Sequence, residues 1–165
     1  MLSRRMTFAA TCALFAAAVG CGGDSSGPVT SDLGGGTNPA TETYAASLGV
    51  NISAMTKKSD ALYYQDLVVG SGVVATSGHA DSVTYTGWLT NGTQFDSNVG
   101  KTAFGFVLGV GQVIPGWDQG IVGMRVGGTR LLAIGSALAF GTQGRPPAIP
   151  SNSTLVFKVQ LLSAQ

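Results

Sequence analysis

Nucleophilic catalysis by serine or cysteine needs a base within hydrogen-bond reach, and this chain has a single histidine to offer. His79 stands in the polar run Ser77-Gly78-His79-Ala80-Asp81, which reads as a solvated turn between strands. One His and two Cys fall short of a structural zinc site of four ligands. Gly100-Lys101-Thr102 resembles the end of a phosphate loop, but Phe95 holds the place of its leading glycine, so Lys101 reads as a loop charge. No cofactor is implied. What remains is a series of aromatic residues set in a glycine-punctuated frame. Aromatic side chains on strands are more often core than contacts to a ligand, so singly none of them marks a site.

The elements that must position these residues are mostly strands. Period-two and β-branched runs recur with turn residues between them, over Ala61–Val69, Ser82–Leu89, Gln94–Asp96, Ala103–Leu108, Thr129–Ile134 and Thr154–Leu162. Asn91-Gly92 is a strong hairpin signal between the second and third. One short helix is predicted over Pro115–Met124, where proline suits the first turn and Trp117, Ile121 and Met124 share a face. The predicted class is α+β, a twisted, mostly antiparallel sheet packed on one short helix.

The front of the chain follows a different logic. Arg4 and Arg5 precede a mostly apolar stretch, Met6–Val19, which at about fourteen residues is short for a membrane span of about twenty and reads as a signal peptide over residues 1–20. Ala18-Val19-Gly20-Cys21 resembles a bacterial lipobox, in which Cys21 becomes the lipid-carrying N-terminus; the alternative is a secreted product cut near Gly20. Ser3-Arg4-Arg5 reads as an ordinary charged leader ahead of a twin-arginine signal. In a bacterial setting the triplets opening at Asn51, Asn91 and Asn152 carry no glycosylation meaning. Residues 21–43, rich in Gly, Ser and Thr, read as a flexible tether, because so few apolar groups cannot offset the entropy of ordering. Residues 44–60 read as a short extension on the domain, with Leu48, Ile52 and Met55 at helix-like spacing, and 61–165 as the domain itself. Export followed by lipid anchoring in the cell envelope is the expected location.

Nine Lys+Arg against eight Asp+Glu, with no basic run, leave no electrostatic footprint for nucleic acid. Loss of Arg4 and Arg5 with the signal leaves seven basic and eight acidic residues, a net charge of −1. Loss of Cys12 leaves one cysteine, too few for an internal disulfide.

Five collinear segments carry a resemblance over about residues 60–165: Val83-Thr84-Tyr85-Thr86-Gly87, Gly92-Thr93-Gln94-Phe95-Asp96-Ser97, Phe104-Gly105-Phe106-Val107-Leu108-Gly109, Val113-Ile114-Pro115-Gly116-Trp117-Asp118-Gln119-Gly120 and Leu155-Val156-Phe157. In order and spacing the chain resembles the FK506-binding-protein (FKBP) class of peptidyl-prolyl cis-trans isomerases. The resemblance implies a shallow apolar bowl with Trp117 as its floor and Tyr85, Phe95, Phe104, Val113, Ile114 and Phe157 as its walls. It makes Asp96 a buried or half-buried carboxylate in the bowl, with Tyr85, Phe95, Asp96, Trp117 and Phe157 as the catalytic set. A flap from about Gly141 to Pro150 would bring in Ile149, with Phe140 facing the ligand where the flap begins. Phe106 is expected to face away from Phe104 and to serve structure.

Two departures from the family pattern stand out. At Phe140 the family usually has Tyr, so a hydroxyl donor to the ligand carbonyl is missing, a hydrogen bond worth about 0.5–1.5 kcal/mol net. Leu138, Arg145 and Pro146-Pro147 also differ from common choices in the flap. The resemblance implies prolyl polypeptides, and macrolides of the FK506 type, as ligands of a monomeric domain that meets the membrane only through its lipid. A peptide bond resists rotation by about 18–20 kcal/mol through its C–N resonance, and an apolar bowl lowers that barrier by favouring the less charge-separated, twisted amide. On this reading Asp96 is a polar wall and transfers no proton. The competing reading is a non-catalytic peptide-binding or chaperone module that uses the same bowl.

Overall fold

The computed structural model describes residues 37–165. The signal peptide, Cys21 and most of the predicted tether lie outside the described residues.

Seven strands form one sheet in the order β1-β2-β6-β7-β3-β4, with β5 also pairing β3. They are β1 (Thr56–Ser59), β2 (Leu62–Val68), β3 (Ala80–Leu89), β4 (Gln94–Ser97), β5 (Phe104–Val107), β6 (Thr129–Ile134) and β7 (Leu155–Ala164), and every pairing is antiparallel. The long strands β3 and β7 lie side by side at the centre, from Asp81↔Ala164 to Leu89↔Leu155. β4 and β5 continue the sheet along successive halves of β3, at Thr86–Trp88 and Ala80–Val83. The predicted α+β class with one helix is the observed one.

The helix α1 (Pro115–Gly120) is shorter than the predicted Pro115–Met124, because the chain leaves helical hydrogen bonding after the cap at Ile121. Its predicted face holds: Trp117, Ile121 and Met124 are all buried against the sheet. Gly116 and Gly120 let this short helix sit on β6, since a Cβ at either would lie 2.4 Å from Ile134 or 2.8 Å from Leu132. The main core lies between helix and sheet and gathers Leu62, Val83, Leu132, Leu155, Val159 and Leu161 with the helix residues. Arg130 is buried at 5% exposure beside that core. Its guanidinium donates to both carboxylate oxygens of Asp66, at 2.7 and 3.0 Å, and to Gly120 O at 2.7 Å, and it stacks 4.2 Å from the Tyr64 ring centroid. One side chain thus ties β6 to β2 and to the end of α1.

The N-terminal region differs from the prediction in three ways. The helix-like spacing of Leu48, Ile52 and Met55 produces only single 3-10 turns at Ala46–Leu48 and Ile52–Ala54, interrupted by Gly49 at φ 64°. The last part of the predicted extension is β1 itself, an edge strand of the sheet. Met55, Tyr63 and Ala133 form a second small core with Tyr44, Val50 and Ile52 on the far face of the sheet. Residues 37–43, predicted to be tether, instead lie against the domain. Thr37 N donates to Ser136 Oγ at 3.0 Å, Ser136 N donates to Thr37 Oγ1 at 3.1 Å, and Thr37 Oγ1 meets Thr154 Oγ1. Pro39 is buried and its carbonyl accepts from the Tyr44 phenol at 2.8 Å.

Candidate active site

A cavity of about 390 Å³, within the size range of small-ligand pockets, opens between the start of α1, strands β3–β5 and β7, and the loop that joins β6 to β7. Its walls are Tyr85, Phe95, Asp96, Phe104, Val113, Ile114, Trp117, Phe140, Ile149 and Phe157, with Gln112 and Arg145 at its edge. All ten residues expected to surround the bowl therefore meet in one cavity.

Trp117 is the hub of the aromatic cluster. Its ring is buried at 4% exposure. Tyr85 and Phe157 meet it edge-to-face at centroid distances of 5.0 and 5.3 Å, and Phe104 does so at 6.2 Å. Phe95 extends the cluster through Phe157, again edge-to-face at 5.5 Å. Edge-to-face pairs set each positive ring edge on a negative ring face, worth about 0.5–1.5 kcal/mol each beyond burial, so the walls hold one another in shape. The indole N–H of Trp117 has no partner among the described residues. Val113 and Ile114 reach the cavity from the turn that caps the helix start. Asp118 holds that turn by accepting from Gly109 N and Gly111 N, both at 2.8 Å.

Adjacent residues on a strand ordinarily face opposite ways, yet Phe95 and Asp96 both line the cavity. The cause is a bulge in β4: Gly87 pairs with Asp96 and Trp88 with Gln94, which leaves Phe95 as the unpaired extra residue whose side chain is re-aimed. Gly87 is part of the same device. A Cβ there would lie 2.6 Å from the Phe95 ring and 2.8 Å from the Phe157 ring, so both rings can pack only over a bare backbone. Asn98 steadies the next loop, accepting from Tyr85 N at 2.7 Å and donating to Val83 O at 3.1 Å.

Three expectations need correction. Asp96 is exposed, not buried or half-buried; it stands at the rim because β4 is an edge strand, while the neighbouring Phe95, re-aimed by the bulge, is half-buried in the wall. It accepts a hydrogen bond from the Tyr85 phenol at 2.7 Å. Phe106 shares a face with Phe104, since residues two apart on a strand point the same way. Their rings stack at 5.7 Å with a 24° interplanar angle. Phe106 is nonetheless structural in place: at 6% exposure it lies behind Phe104 against Trp117 and does not line the cavity. His79, expected to be a solvated turn residue, is half-buried with its Nδ1 enclosed and unpaired among the described residues. Lys101 is a loop residue as read, its ammonium donating to Ser97 O at 3.1 Å.

Electrostatically the cavity is nearly neutral inside and charged only at its rim. Burial, and then the neighbouring Asp96 carboxylate, push the Tyr85 phenol up to about 12, with Arg145 acting weakly the other way. The phenol therefore keeps its proton and donates to Asp96 throughout the ordinary pH range. Among the described residues no group of three His, Cys, Asp or Glu could hold a metal ion.

The loop from Ala139 to Ser153 closes one side of the cavity. Arg145 and Ile149 exchange backbone hydrogen bonds of 2.8 and 3.0 Å across it, which makes it a small hairpin. Ile149 turns inward from that hairpin and is 2% exposed. Phe140 is half-buried at the hairpin's start and presents a ring with no hydroxyl.

Comparison with known proteins decides the family. The pattern of the FKBP-type peptidyl-prolyl cis-trans isomerases matches residues 72–162, more than half of the chain. This chain belongs to that family. An FK506-binding protein of Neisseria meningitidis serogroup A is 47% identical over 102 residues, which cover 61% of this chain and 94% of that protein. FK506-binding protein 4 of Dictyostelium discoideum is 52% identical over 102 residues, but these span only 28% of its length. This chain thus spans 19–28% of the larger curated relatives it matches. Among solved structures, FkpA from Escherichia coli superposes with a TM-score of 0.61 at 37% identity, covering 67% of this chain and 51% of that one. AtFKBP13 does so at 0.58 and 38%, covering 63% and 93%.

Sequence reasoning missed several residues that shape the site. Gln112 and Arg145 come from loops, where no periodicity marks an inward-facing position. Gly87 was visible as part of a motif, but its clearance role depends on two rings far along the chain.

Proposed function

We propose that this FKBP domain catalyses cis-trans isomerisation of Xaa-Pro bonds in polypeptides, without a covalent intermediate. The observation that carries this reading is the cavity itself: six aromatic rings around a space that fits a prolyl ring, with no nucleophile or base among them. Rotation about an amide is opposed by about 18–20 kcal/mol of C–N resonance, which is strongest when oxygen and nitrogen carry separated charge. In water that separated form is well solvated. In the cavity it is not, whereas the twisted amide, with its smaller dipole, loses less on transfer. Trp117 and Phe157 support the prolyl ring, Phe95 and Phe104 flank it, and Ile149 and Phe140 cover it from the hairpin. Asp96, tied to Tyr85, acts as a polar edge and transfers no proton.

The test is NMR exchange or protease-coupled isomerisation of an Ala-Leu-Pro-Phe peptide by the purified protein. Acceleration that an FK506-like macrolide suppresses supports the reading. Binding without acceleration supports instead a peptide-holding module, which the missing hydroxyl at Phe140 favours.

We further propose that the protein is exported through residues 1–20, carries lipid on Cys21 and works as a monomer at the cell envelope on exported chains. The supporting features are the charged and apolar leader and the sequence Ala18-Val19-Gly20-Cys21. Cys21→Ser should move the protein from the membrane fraction to the soluble one; an unchanged membrane fraction would count against lipidation.

A further inference from the structure

We infer that Arg145 makes this cavity select prolyl segments with an acidic residue beside the proline. The inference rests on the reading of the cavity as a site for prolyl polypeptides. Its geometric basis is the hairpin. Arg145 and Ile149 are directly paired across it, and side chains of paired residues leave a two-stranded ribbon on the same face. Ile149 is seated in the cavity at 2% exposure, so Arg145 is aimed to the same side, and both line the cavity.

The other polar groups nearby are accounted for differently. Asp96 is engaged by the Tyr85 phenol at 2.7 Å. Lys101 lies in an adjoining depression that shares Phe95 and Asp96 with the cavity but does not line the cavity itself, and its ammonium donates to Ser97 O at 3.1 Å. Gln112 is neutral and its Oε1 accepts from Val107 N at 2.8 Å. The guanidinium of Arg145 makes no hydrogen bond or ion pair with any described residue, so its donors are open to a ligand. Arg145 and Asp96 do not pair, although both line the cavity, so its rim carries a cation on the hairpin and an anion on β4. A bound segment therefore meets opposite charges at different points, and an acidic side chain gains at the hairpin end. Its carboxylate would accept from the planar, five-donor guanidinium, a match that an ammonium supplies less well.

Full-length protein is titrated with Ala-Xaa-Pro-Phe and Ala-Ala-Pro-Xaa peptides, with Xaa Glu, Gln or Lys, and binding is read by calorimetry at low and high salt. The expected result is a Kd for Glu about two- to fivefold tighter than for Lys in one of the two series, the range of an exposed ion pair, shrinking as salt screens it. Arg145→Gln should flatten the order and Arg145→Glu should reverse it, with matching far-UV and near-UV circular dichroism showing that both variants fold. Equal affinities for the three peptides in both series, no binding of any of them, or an order that survives Arg145→Glu would overturn the inference. Isomerisation of the same peptides is followed separately by NMR exchange. Charge-ordered binding with no acceleration would sink the catalytic reading and leave the selectivity of Arg145 standing.

Discussion

The Tyr85 phenol donates to Asp96 Oδ2 at 2.7 Å, so one oxygen of the carboxylate at the rim of the cavity is tied to a wall residue. An exposed carboxylate tied to the wall by a phenol that is raised to about 12 and keeps its own proton serves as a polar edge, while most of the remaining lining is aromatic or aliphatic. Truncation of the apolar surface should therefore cost more activity than neutralisation of Asp96. In folded variants, Trp117→Ala or Phe95→Ala is expected to lower kcat/KM by more than Asp96→Asn. A hundredfold loss in Asp96→Asn beside a nearly active Phe95→Ala would restore proton chemistry to the site.

The pH profile provides an independent check on the same point. Because the raised phenol stays protonated well above neutrality, the Tyr85–Asp96 bond persists, and kcat/KM for a neutral prolyl peptide should stay flat between about pH 6 and 9. A bell-shaped profile in that window would show that a titrating group takes part in the rate-limiting step.

Phe140 lies half-buried on the cavity wall with no hydroxyl to offer. Phe140→Tyr is expected to tighten binding of an FK506-like ligand by up to about 1 kcal/mol, roughly fivefold, measured by calorimetry. Unchanged or weaker binding would mean that the hairpin does not present this ring to the ligand.

Gly87→Ala should damage the site out of proportion to its size, since its Cβ would lie 2.6 Å from Phe95 and 2.8 Å from Phe157. The rings must move or the strands must part, an overpacking cost of about 1–3 kcal/mol. Lower Tm together with at least tenfold weaker ligand binding is expected. A variant with wild-type affinity would show that the two rings have room to shift.

Asp81 is buried in the sheet at 2% exposure, and neither of its oxygens has a hydrogen-bond partner among the described residues. Burial pushes its carboxyl above the usual range, with His79 acting the other way. The folded state thus holds this proton more tightly than the unfolded one. Stability from the site is full in acid, below the ordinary carboxylate value, and is lost as pH rises through the raised one. Asp81→Val should raise stability at pH 7 by about 1–3 kcal/mol, the penalty of an unpaired buried polar group, with a smaller gain at pH 4. Urea titrations at the two pH values test this; destabilisation at pH 7 would point to a partner for Asp81.

Arg130 carries the opposite expectation, because its buried charge is fully met by Asp66, Gly120 O and Tyr64. Asp66→Asn leaves that guanidinium without its counter-charge and is expected to destabilise by about 3–5 kcal/mol in denaturant titrations. A loss under 1 kcal/mol would show that the backbone carbonyl and the ring suffice.

The aromatic walls were legible in the sequence because their order and spacing follow a family pattern, and strand periodicity places such residues well. The errors have separate physical causes. The buried or half-buried Asp96 is an expectation of the resemblance, and neither a motif nor alternation reveals a bulge, which depends on how β3 and β4 register. β1 escaped notice because Thr56-Lys57-Lys58-Ser59 has no apolar alternation; it is a strand only because β2 offers a free edge. Residues 37–43 read as tether because hydroxyl-rich composition signals a flexible chain, whereas their hydroxyls have specific partners at Ser136 and Thr154, about a hundred residues away in sequence. Phe106 was misdirected by a wrong count of the strand period, not by missing information.

The clasp at Thr37 also has a mechanical side. Ser136 and Thr154 bracket the hairpin loop that carries Phe140, Arg145 and Ile149, and Thr37 touches both. Tension arriving along the backbone ahead of Thr37 would fall first on these few hydroxyl contacts, before it reaches any strand pairing. The two ends of the loop would stay tied without them, because Gly141 N donates to Ser136 O at 2.8 Å, Asn152 N donates to Gly141 O at 2.9 Å and Ile134 pairs with Leu155. Pulling on the chain would therefore strip this clasp first and leave the cover over the cavity held by its own backbone bonds.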